Sequence, residues 1–555
     1  MRGNAGCPVF LERKEENWML VVTDIRVPLG TEEQALSKQI ANQLKIDADR
    51  IQSVRLLRKA LDARKKQDIH YLIHAVIAVD DALEKKLLHG GSSHISAYRP
   101  AVEQPVSSGT LEPKGRIIVV GLGPAGLFAA HVLAKQGYQP LVIERGQPIQ
   151  QRVSDVDAFW SRAVLSQESN VMFGEGGAGT FSDGKLTTRI KDPRADSVLR
   201  LLVEHGAPKE IPILAKPHIG TDRLRTVVAA LRKSIEELGG EVWFSAKLCG
   251  IETQNGGIRT VLVQRGSSVE RISCAALVLA IGQGARDTYR MLAESGIAMQ
   301  PKPFAVGVRV EHPQSMIDRV QYGAFAGDPR LGAAEYRLSG RSNGRGVYTF
   351  CMCPGGFVVA STSDEGQVVV NGMSNYARDA ENANAAIVVQ VAPEDFSGTD
   401  ALSGVRFCEK LEHDAYLAGG GSFYAPAERI ADFLAHDSPH GFGGVRPTYR
   451  PGVAASSLWN CLPDFVAEGI ADGIHGFSRN LRGFDLQDGV LTAVESRTSA
   501  PLRILRGENG ESLSHAGIYP VGEGAGYAGG IVSAAVDGMR AAERIIGRFR
   551  APACG

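Results

Sequence analysis

A chain of 555 residues exceeds what one hydrophobic core usually supports, so two or three domains are expected. With 44% hydrophobic and 22% charged residues and a formal net charge of zero, it reads as an ordinary globular protein with no bulk electrostatic pull on nucleic acid. No uninterrupted apolar stretch approaches the roughly 20 residues of a membrane span, and MRGNAGCPVFLERKEENW lacks the apolar segment of a secretory signal. The cysteines form no C-x-x-C pair, which argues against a zinc ribbon or thioredoxin-like dithiol and makes a reducing cytoplasm the expected compartment.

Residues 1–100 read as a separate α+β unit. WMLVVTDIRVPL is strand-like, and TEEQALSKQIANQLKI has helical spacing, with Thr31 placed as its N-cap and Glu33 in the first turn. SVRLL and HYLIHAVIAVD predict two further strands, and a second helix is expected from near Asp80, giving the order β-α-β-β-α. RLLRKALDARKK (55–66) reads as a solvated turn between strands, with docking of an acidic partner or RNA as the alternative. Residues 101–114, rich in Pro, Ser and Gly, read as a linker.

The next stretch, RIIVVGLGPAGLFAAHVLAKQGYQPLVIERG, holds a nucleotide-binding pattern within 31 residues. Ile117–Val120 form an apolar strand suited to a parallel sheet. Gly121 permits the turn, Gly123 lets a pyrophosphate approach the backbone, and Gly126 lets the helix pack on the strand. Pro124 and Ala125 open that helix, whose free N–H groups and dipole face the phosphates. Gly137 ends it. After the strand Leu141–Ile143 come Glu144, whose carboxylate would accept from ribose hydroxyls and repel a 2′-phosphate, and Arg145. FAD, NAD and glycines that merely pack a helix on a sheet all fit this motif taken alone.

NVMFGEGGAGTFSDGKLTTR (170–189) is glycine-rich, with Gly174, Gly176 and Gly177 allowing close approach to a cofactor and Lys185 offering positive charge. A mobile surface loop with a solvent-facing lysine is the alternative. EVWFSAKLCGI resembles the strand whose backbone touches adenine, through Leu248. ALVLAIGQGARDTY ends a strand in Ala280-Ile281-Gly282, which resembles the A-T-G motif of FAD proteins with Ile in place of Thr. Short strands separated by glycines follow from 303 to 375, then alternating helices and glycine-rich loops from 376 to 490.

GIYPVGEGAGYAGGIVSAAVDGMRAAERI (517–545) resolves the choice of nucleotide. It resembles the third nucleotide motif of glutathione-reductase-type FAD proteins. The resemblance implies that Glu523, beside Gly522, binds a ribityl hydroxyl. It also implies that the helix opened by Gly529, Gly530 and Ile531 points at the flavin pyrimidine, where reduced flavin carries negative charge. The family more often has Asp at the position of Glu523. No second complete GxGxxG unit occurs, so NADH or NADPH would serve only as a transient donor, and FAD is expected to be non-covalent.

Over nearly its whole length the chain resembles a group of bacterial and plastid FAD-dependent dehydrogenase-like proteins. The resemblance rests on FGEGGAGTFSDGKL, TFCMCPGGFVV, VVNGMSNYARD, LAGGGSFYAPAER and VGEGAGYAGGI. It implies FAD and redox chemistry, and leaves substrate and catalytic residues open. The expected architecture is a Rossmann-like FAD-binding domain in two segments, 115–301 and 471–555. A mixed β-sheet cap, 302–470, is inserted between them. Candidates for chemistry are Lys185, Cys351 with its neighbour Cys353, Tyr424, and Arg446 with Arg450 for an acidic substrate. For the cysteines the alternative is small buried residues; for Tyr424 and the arginines it is capping of glycine loops. His74, His218, His413 and His475 lack metal-ligand spacing, so no metal is expected. The expected function is two-electron transfer between flavin N5 and a small organic substrate. An FAD-stabilised assembly protein that docks a partner through its N-terminal unit, and a flavin hydroxylase, are the alternatives. Oligomeric state is left open.

Overall fold

A computed structural model describes residues 19–99 and 106–551. Trp18, Cys7, Cys554, Pro100 and the start of the expected linker, 101–105, lie outside the described residues. The chain forms two compact units. One holds the N-terminal residues together with Pro212–Ala215, and the other holds the remainder. Among the described residues no helix is long and apolar enough to cross a membrane.

The N-terminal unit runs β1 (Met19–Pro28), α1 (Leu36–Leu44), β2 (Ser53–Asp62), β3 (His70–Ala78), α2 (Asp81–His89) and β4 (Ile95–Ala97), with sheet order β2-β3-β1-β4. In β1 the inward residues are Leu20 and Val22, then Ile25 and Val27, so the alternation slips by one. A bulge between Val22 and Ile25, with Asp24 at φ 55°, absorbs the extra residue and keeps both pairs on the core face. Asp80 caps α2 by accepting from the Leu83 N–H at 3.0 Å. Thr31 caps nothing: its hydroxyl donates to the Pro28 carbonyl, a 3₁₀ turn over Glu33–Ala35 intervenes, and α1 starts at Leu36. The basic run is not a turn either. Residues 55–62 lie within β2, where Val54 and Leu56 pack on the core and Arg55 and Arg58 point to solvent.

The second unit begins with β5 (Arg116–Val120), α3 (Pro124–Lys135), β6 (Leu141–Ile143), α4 (Ile149–Arg162), α5 (Arg194–Glu204), α6 (Thr221–Glu237) and β7 (Glu241–Trp243). Then come β8 (Ala246–Gln254), β9 (Gly257–Arg265), β10 (Ser268–Leu279) and α7 (Arg286–Glu294). Strand β10 serves two sheets. Its first half pairs antiparallel with β9, and Ala276–Leu279 pair in parallel with β5. Every residue of β5 from Ile117 to Val120 is buried, as a parallel strand covered on both faces requires.

Next come β11 (Met299–Pro301), β12 (Phe304–Pro313), α8 (Gln314–Tyr322), β13 (Ser339–Ser342), β14 (Arg345–Cys353), β15 (Gly356–Ala360), β16 (Val370–Ser374), β17 (Asn382–Val391) and α9 (Ser403–Ala418). They are followed by β18 (Ala425–Arg429), α10 (Ile430–Ala435), β19 (Val453–Ala455), α11 (Asp464–Ser478) and β20 (Val490–Glu495). The chain then returns through β21 (Leu502–Ile504), β22 (Ile518–Pro520) and α12 (Ile531–Arg548). The inserted sheet has the order β13-β14-β17-β12-β20-β18-β19. Its membership corrects the boundary expected at 470, which falls inside α11. Val490–Glu495 pairs with both β12 and β18, so the insertion ends after Glu495. Residues 382–391 are likewise a strand rather than part of a helix-and-loop region. Both segments are buried almost throughout, so neither shows the alternation that marks a half-exposed strand. Antiparallel β11 and β21 lie side by side where the chain enters and leaves the insertion. Beyond them β22 joins β10 in parallel, completing the order β7-β6-β5-β10-β22.

Candidate FAD site

The parallel strands share one C-terminal edge, and four turns leave it: Gly121 after β5, Glu144 after β6, Ala280 after β10 and Val521 after β22. Gly121 has φ 98°, and a Cβ there would stand 2.3 Å from the Ala280 carbonyl oxygen. A Cβ on Gly126 would stand 1.8 Å from the Gly121 oxygen, so helix α3 sits on the turn as only glycine allows. Gly123 differs. Its backbone is extended (φ −79°), and the nearest atom to an added Cβ is Gly177 Cα at 3.7 Å. Among the described residues, the N–H groups of Gly123, Ala125 and Gly126 have no hydrogen-bond partner. They converge at the positive end of α3. From the other end of the sequence, Gly522 arrives so closely that a Cβ on it would lie 2.9 Å from the Ala125 Cβ. The two glycine turns therefore meet.

A cavity of about 410 Å³ follows this edge. At the β6 end it is lined by Glu144, Arg145, Ala246, Lys247 and Leu248. The centre is formed by Gly121, Gly123, Pro124, Ala125 and Gly177, and by Ala280, Ile281 and Gly282. At the β22 end lie Gly522, Glu523, Gly529, Gly530 and Ile531. Glu144 is committed more fully than expected: its carboxylate accepts from the N–H groups of Leu122 (2.8 Å), Gly146 (2.8 Å) and Gly174 (3.0 Å). It ties three loops together, and only its spare lone pairs face the cavity. The Arg145 guanidinium is taken by Asp287 (2.9 and 3.1 Å) and Glu168 (2.6 Å) and lies over the Phe173 ring at 4.0 Å.

The glycine-rich stretch is a fixed wall, not a mobile loop, because Arg152 staples it. This fully buried guanidinium donates to the carbonyls of Asn170 (2.9 Å), Val171 (2.9 Å) and Glu175 (2.6 Å). Burial lowers its pKa to about 10, so the charge survives at neutral pH. The Glu175 carboxylate accepts from the Ile149 N–H and from Arg232, both at 2.7 Å. Gly174 and Gly176, expected at the cofactor, do not line the cavity. They make room for packing, since a Cβ would meet Arg152 Cδ at 2.4 Å or Thr180 Oγ1 at 2.1 Å. Nothing in the sequence pattern marks Arg152, which stands alone on an amphipathic helix.

The inserted domain meets the cavity at the Glu523 end through Phe350, Cys351, Asn371 and Glu495, with Arg497 and Thr498 just beyond β20; Gln283 donates both to the Arg497 carbonyl at 2.7 Å and to Glu523 at 3.2 Å. Lys185 reaches it from the glycine-rich wall. Its ammonium donates to the Met352 carbonyl and pairs with buried Asp183 at 3.1 Å, so this half-buried lysine is held at the cavity wall. Asp183 is gripped in turn by Arg378 at 2.9 and 2.5 Å. Cys351 and Cys353 do not lie on a regular strand face. The β14–β17 register slips between Phe350 and Cys353, and Cys351 takes the left-handed conformation at φ 41°. Cys353 is buried, with its sulfur 3.3 Å from the Cys351 carbonyl oxygen, while Cys351 lines the cavity. The neighbouring Cys353, aided by Lys185 and Arg309 and opposed by burial, lowers the Cys351 thiol from the ordinary range, while the Cys353 S–H itself donates to the Cys351 carbonyl oxygen. Burial pushes the Glu523 carboxyl up to about 7.

Three candidates fall elsewhere. Tyr424 is exposed and packs beside Gly452. Arg446 is exposed, and its carbonyl accepts from Asn382 at 2.9 Å. Neither lines the cavity, and exposed Arg450 does not either. Their glycine-rich surroundings mark turns at the surface, not a binding wall.

The unpartnered amides, the open space over Gly123 and a continuous cavity from β6 to β22 fit a dinucleotide laid across the sheet edge, at the place where open α/β sheets bind ligands. FAD is that dinucleotide, and the protein is a flavoprotein with a Rossmann-type FAD-binding fold. Residues 303–498 match the family described as FAD-dependent protein, C-terminal domain-like. Residues 19–78 match a domain of unknown function, DUF8436. An uncharacterized protein of Clostridium beijerinckii is 46% identical over 534 residues, covering 96% of this chain and 99% of its own length. The chain belongs to the same family as that protein. Among solved structures, glycine oxidase from Geobacillus kaustophilus is similar at 11% identity, covering 79% of this chain and 96% of its own, with a TM-score of 0.35. A geranylgeranyl bacteriochlorophyll reductase-like protein of Thermoplasma acidophilum is similar at 14% identity over 77% of each chain, with a TM-score of 0.33.

Proposed function

We propose that the protein is a dehydrogenase or reductase that moves two electrons between the flavin N5 and a small organic substrate, with NADH or NADPH as a transient donor. One observation carries this reading: the inserted domain meets the cavity at the Glu523 end, opposite the Glu144 end. The strand order sets Glu144 over β6 and Glu523 beyond β22, with the α3 cradle between them. With adenosine over β6, Phe350, Cys351 and Asn371 would be the residues that line the space for the ring system. Bound FAD supplies the redox chemistry.

The chain's own residues bind and orient. The amides of Gly123, Ala125 and Gly126 would hold the phosphates, and the N-terminus of α12 would present positive potential at the ring end. Lys185, fixed by Asp183 and the Met352 carbonyl, holds a positive charge at the same end. Glu523 is protonated below about pH 7 and can then donate to an oxygen of the bound molecule. Phe350 and the buried glycine-rich wall limit the entry of water.

The test is anaerobic mixing of FAD-reconstituted protein with NADH or NADPH while the visible flavin spectrum is followed. Bleaching by either donor supports the reading. A yellow protein that resists both donors and photoreduction would leave FAD a structural role and refute it.

A further inference from the structure

We propose that the side-chain amide of Asn371 donates a hydrogen bond to an acceptor atom of the flavin ring and so favours the reduced flavin. The inference rests on reading the Glu523 end of the cavity as the place of the ring. Asn371 stands on β16, within the stretch VVNGMSN, and lines the cavity at that end.

The chemistry of its partners fixes which end of the amide faces the cavity. The Asn371 Oδ1 accepts from Arg309 Nη2 at 2.9 Å and from the Gly372 N–H at 2.7 Å. Both partners can only donate, so the oxygen stands on their side and the NH2 group on the other. Turning the amide over would set N–H against N–H at both contacts. Arg309 has no freedom to move aside. It is fully buried, and its five N–H groups are engaged in five bonds: two to Glu495, and one each to the Cys351 carbonyl, Asn384 and Asn371. A Cβ on Gly372 would lie 2.4 Å from Arg309 Nη1, so the glycine beside Asn371 lets the guanidinium come this close. Among the described residues, the Asn371 NH2 has no hydrogen-bond partner. The cations at the same end are matched by carboxylates, Lys185 by Asp183 and Arg497 by Glu412, which leaves the amide as a neutral donor open to the cavity. An N–H group pairs only with an acceptor, and the ring offers carbonyl oxygens and unprotonated nitrogens. Two-electron reduction adds negative charge to those atoms, so a donor binds the reduced ring more tightly than the oxidised one.

The test is the two-electron potential of the full chain reconstituted with FAD, read by anaerobic reduction with dithionite against a reference dye. Asn371→Leu removes the donor. It should retain FAD and shift the balance between reduced and oxidised flavin about tenfold toward the oxidised form, a fall of about 30 mV. Asn371→Asp keeps an acceptor for Arg309 and Gly372 and replaces the NH2 by oxygen, so it should lower the potential at least as far. An unchanged potential in Asn371→Asp, with the visible spectrum showing FAD in place, would overturn the proposal, because a fall in the leucine variant alone would come from disturbing Arg309. Loss of FAD from both variants would likewise overturn it, since removing one hydrogen bond should weaken binding of oxidised FAD by about tenfold at most. Wild-type protein that retains no FAD would overturn the flavin reading and this proposal with it.

Discussion

Replacing Gly123 by alanine separates the nucleotide cradle from the packing of the fold. The backbone there is extended (φ −79°), the added Cβ has only Gly177 Cα near it, at 3.7 Å, and the Leu127 N–H to Gly123 carbonyl bond at 2.9 Å does not involve the side chain. The apoprotein should lose about 0.5 kcal/mol for alanine at a helix N-cap and melt within about 2 °C of wild type. The methyl group projects into the space before the free amides of Gly123, Ala125 and Gly126. Displacing a pyrophosphate from two of them removes two charge-assisted hydrogen bonds at about 1.5–3 kcal/mol each, or about 3–6 kcal/mol. The dissociation constant for FAD should therefore rise by about 10²- to 10⁴-fold. Fluorescence quenching on titration of FAD gives the affinity, and thermal denaturation of the apoprotein gives the stability. Unchanged affinity would mean that the phosphates do not sit over Gly123. An unfolded variant would mean that the glycine is needed for packing.

Gly126→Ala should behave oppositely. Its Cβ would stand 1.8 Å from the Gly121 oxygen, so α3 must move off β5, and the apoprotein itself should melt several degrees lower, as differential scanning calorimetry would show. Glu523→Gln tests the raised carboxyl. A folded-state pKa of about 7, above the ordinary 4.5, means that the neutral form is favoured in the fold. The group costs nothing below about pH 4.5 and progressively destabilises the apoprotein up to about pH 7. The full cost is at most about 3 kcal/mol, since water entering the cavity screens the charge. The variant should match wild type in stability at pH 4 and exceed it at pH 8 in denaturant titrations. A stability difference independent of pH would refute the assignment.

The nucleotide cradle was legible in the sequence because every part of it is local. One strand, one glycine turn and one helix fit within Arg116–Lys135, and glycine at three fixed places has a steric reason that holds in any chain of this pattern. The same holds for the turn after β22 and the helix behind it. The glycine-rich stretch was legible as composition only. Its glycines read alike, yet Gly177 faces the cavity while Gly174 and Gly176 make way for Arg152 and Thr180. That division depends on a side chain from α4, which no local rule supplies. Glycine surroundings misled at Tyr424 and Arg446 for the same reason: a glycine turn looks the same at the surface as at a ligand.

The inserted end of the cavity was not legible because its order is ionic and long-range. Arg309 of β12 meets Glu495 of β20 across 186 residues, at 2.8 and 3.1 Å. It also donates to Asn371 (2.9 Å), Asn384 (3.0 Å) and the Cys351 carbonyl (2.9 Å). Arg286 of α7 meets Glu412 of α9 across 126 residues, at 2.8 and 2.6 Å, and Arg497 joins from beyond β20 at 3.1 Å. Burial works to raise the Glu412 carboxyl, but the two arginines outweigh it and hold the pKa at about 2. Such pairs contribute little net stability, because desolvation of both partners offsets their attraction. Their effect here is geometric. A guanidinium with every donor engaged admits one arrangement of its neighbours, and three of its four neighbours, Cys351, Asn371 and Glu495, belong to the cavity wall. The apolar strands of the insertion could pack at more than one register. The buried arginines select the register that brings the thiol to the cavity.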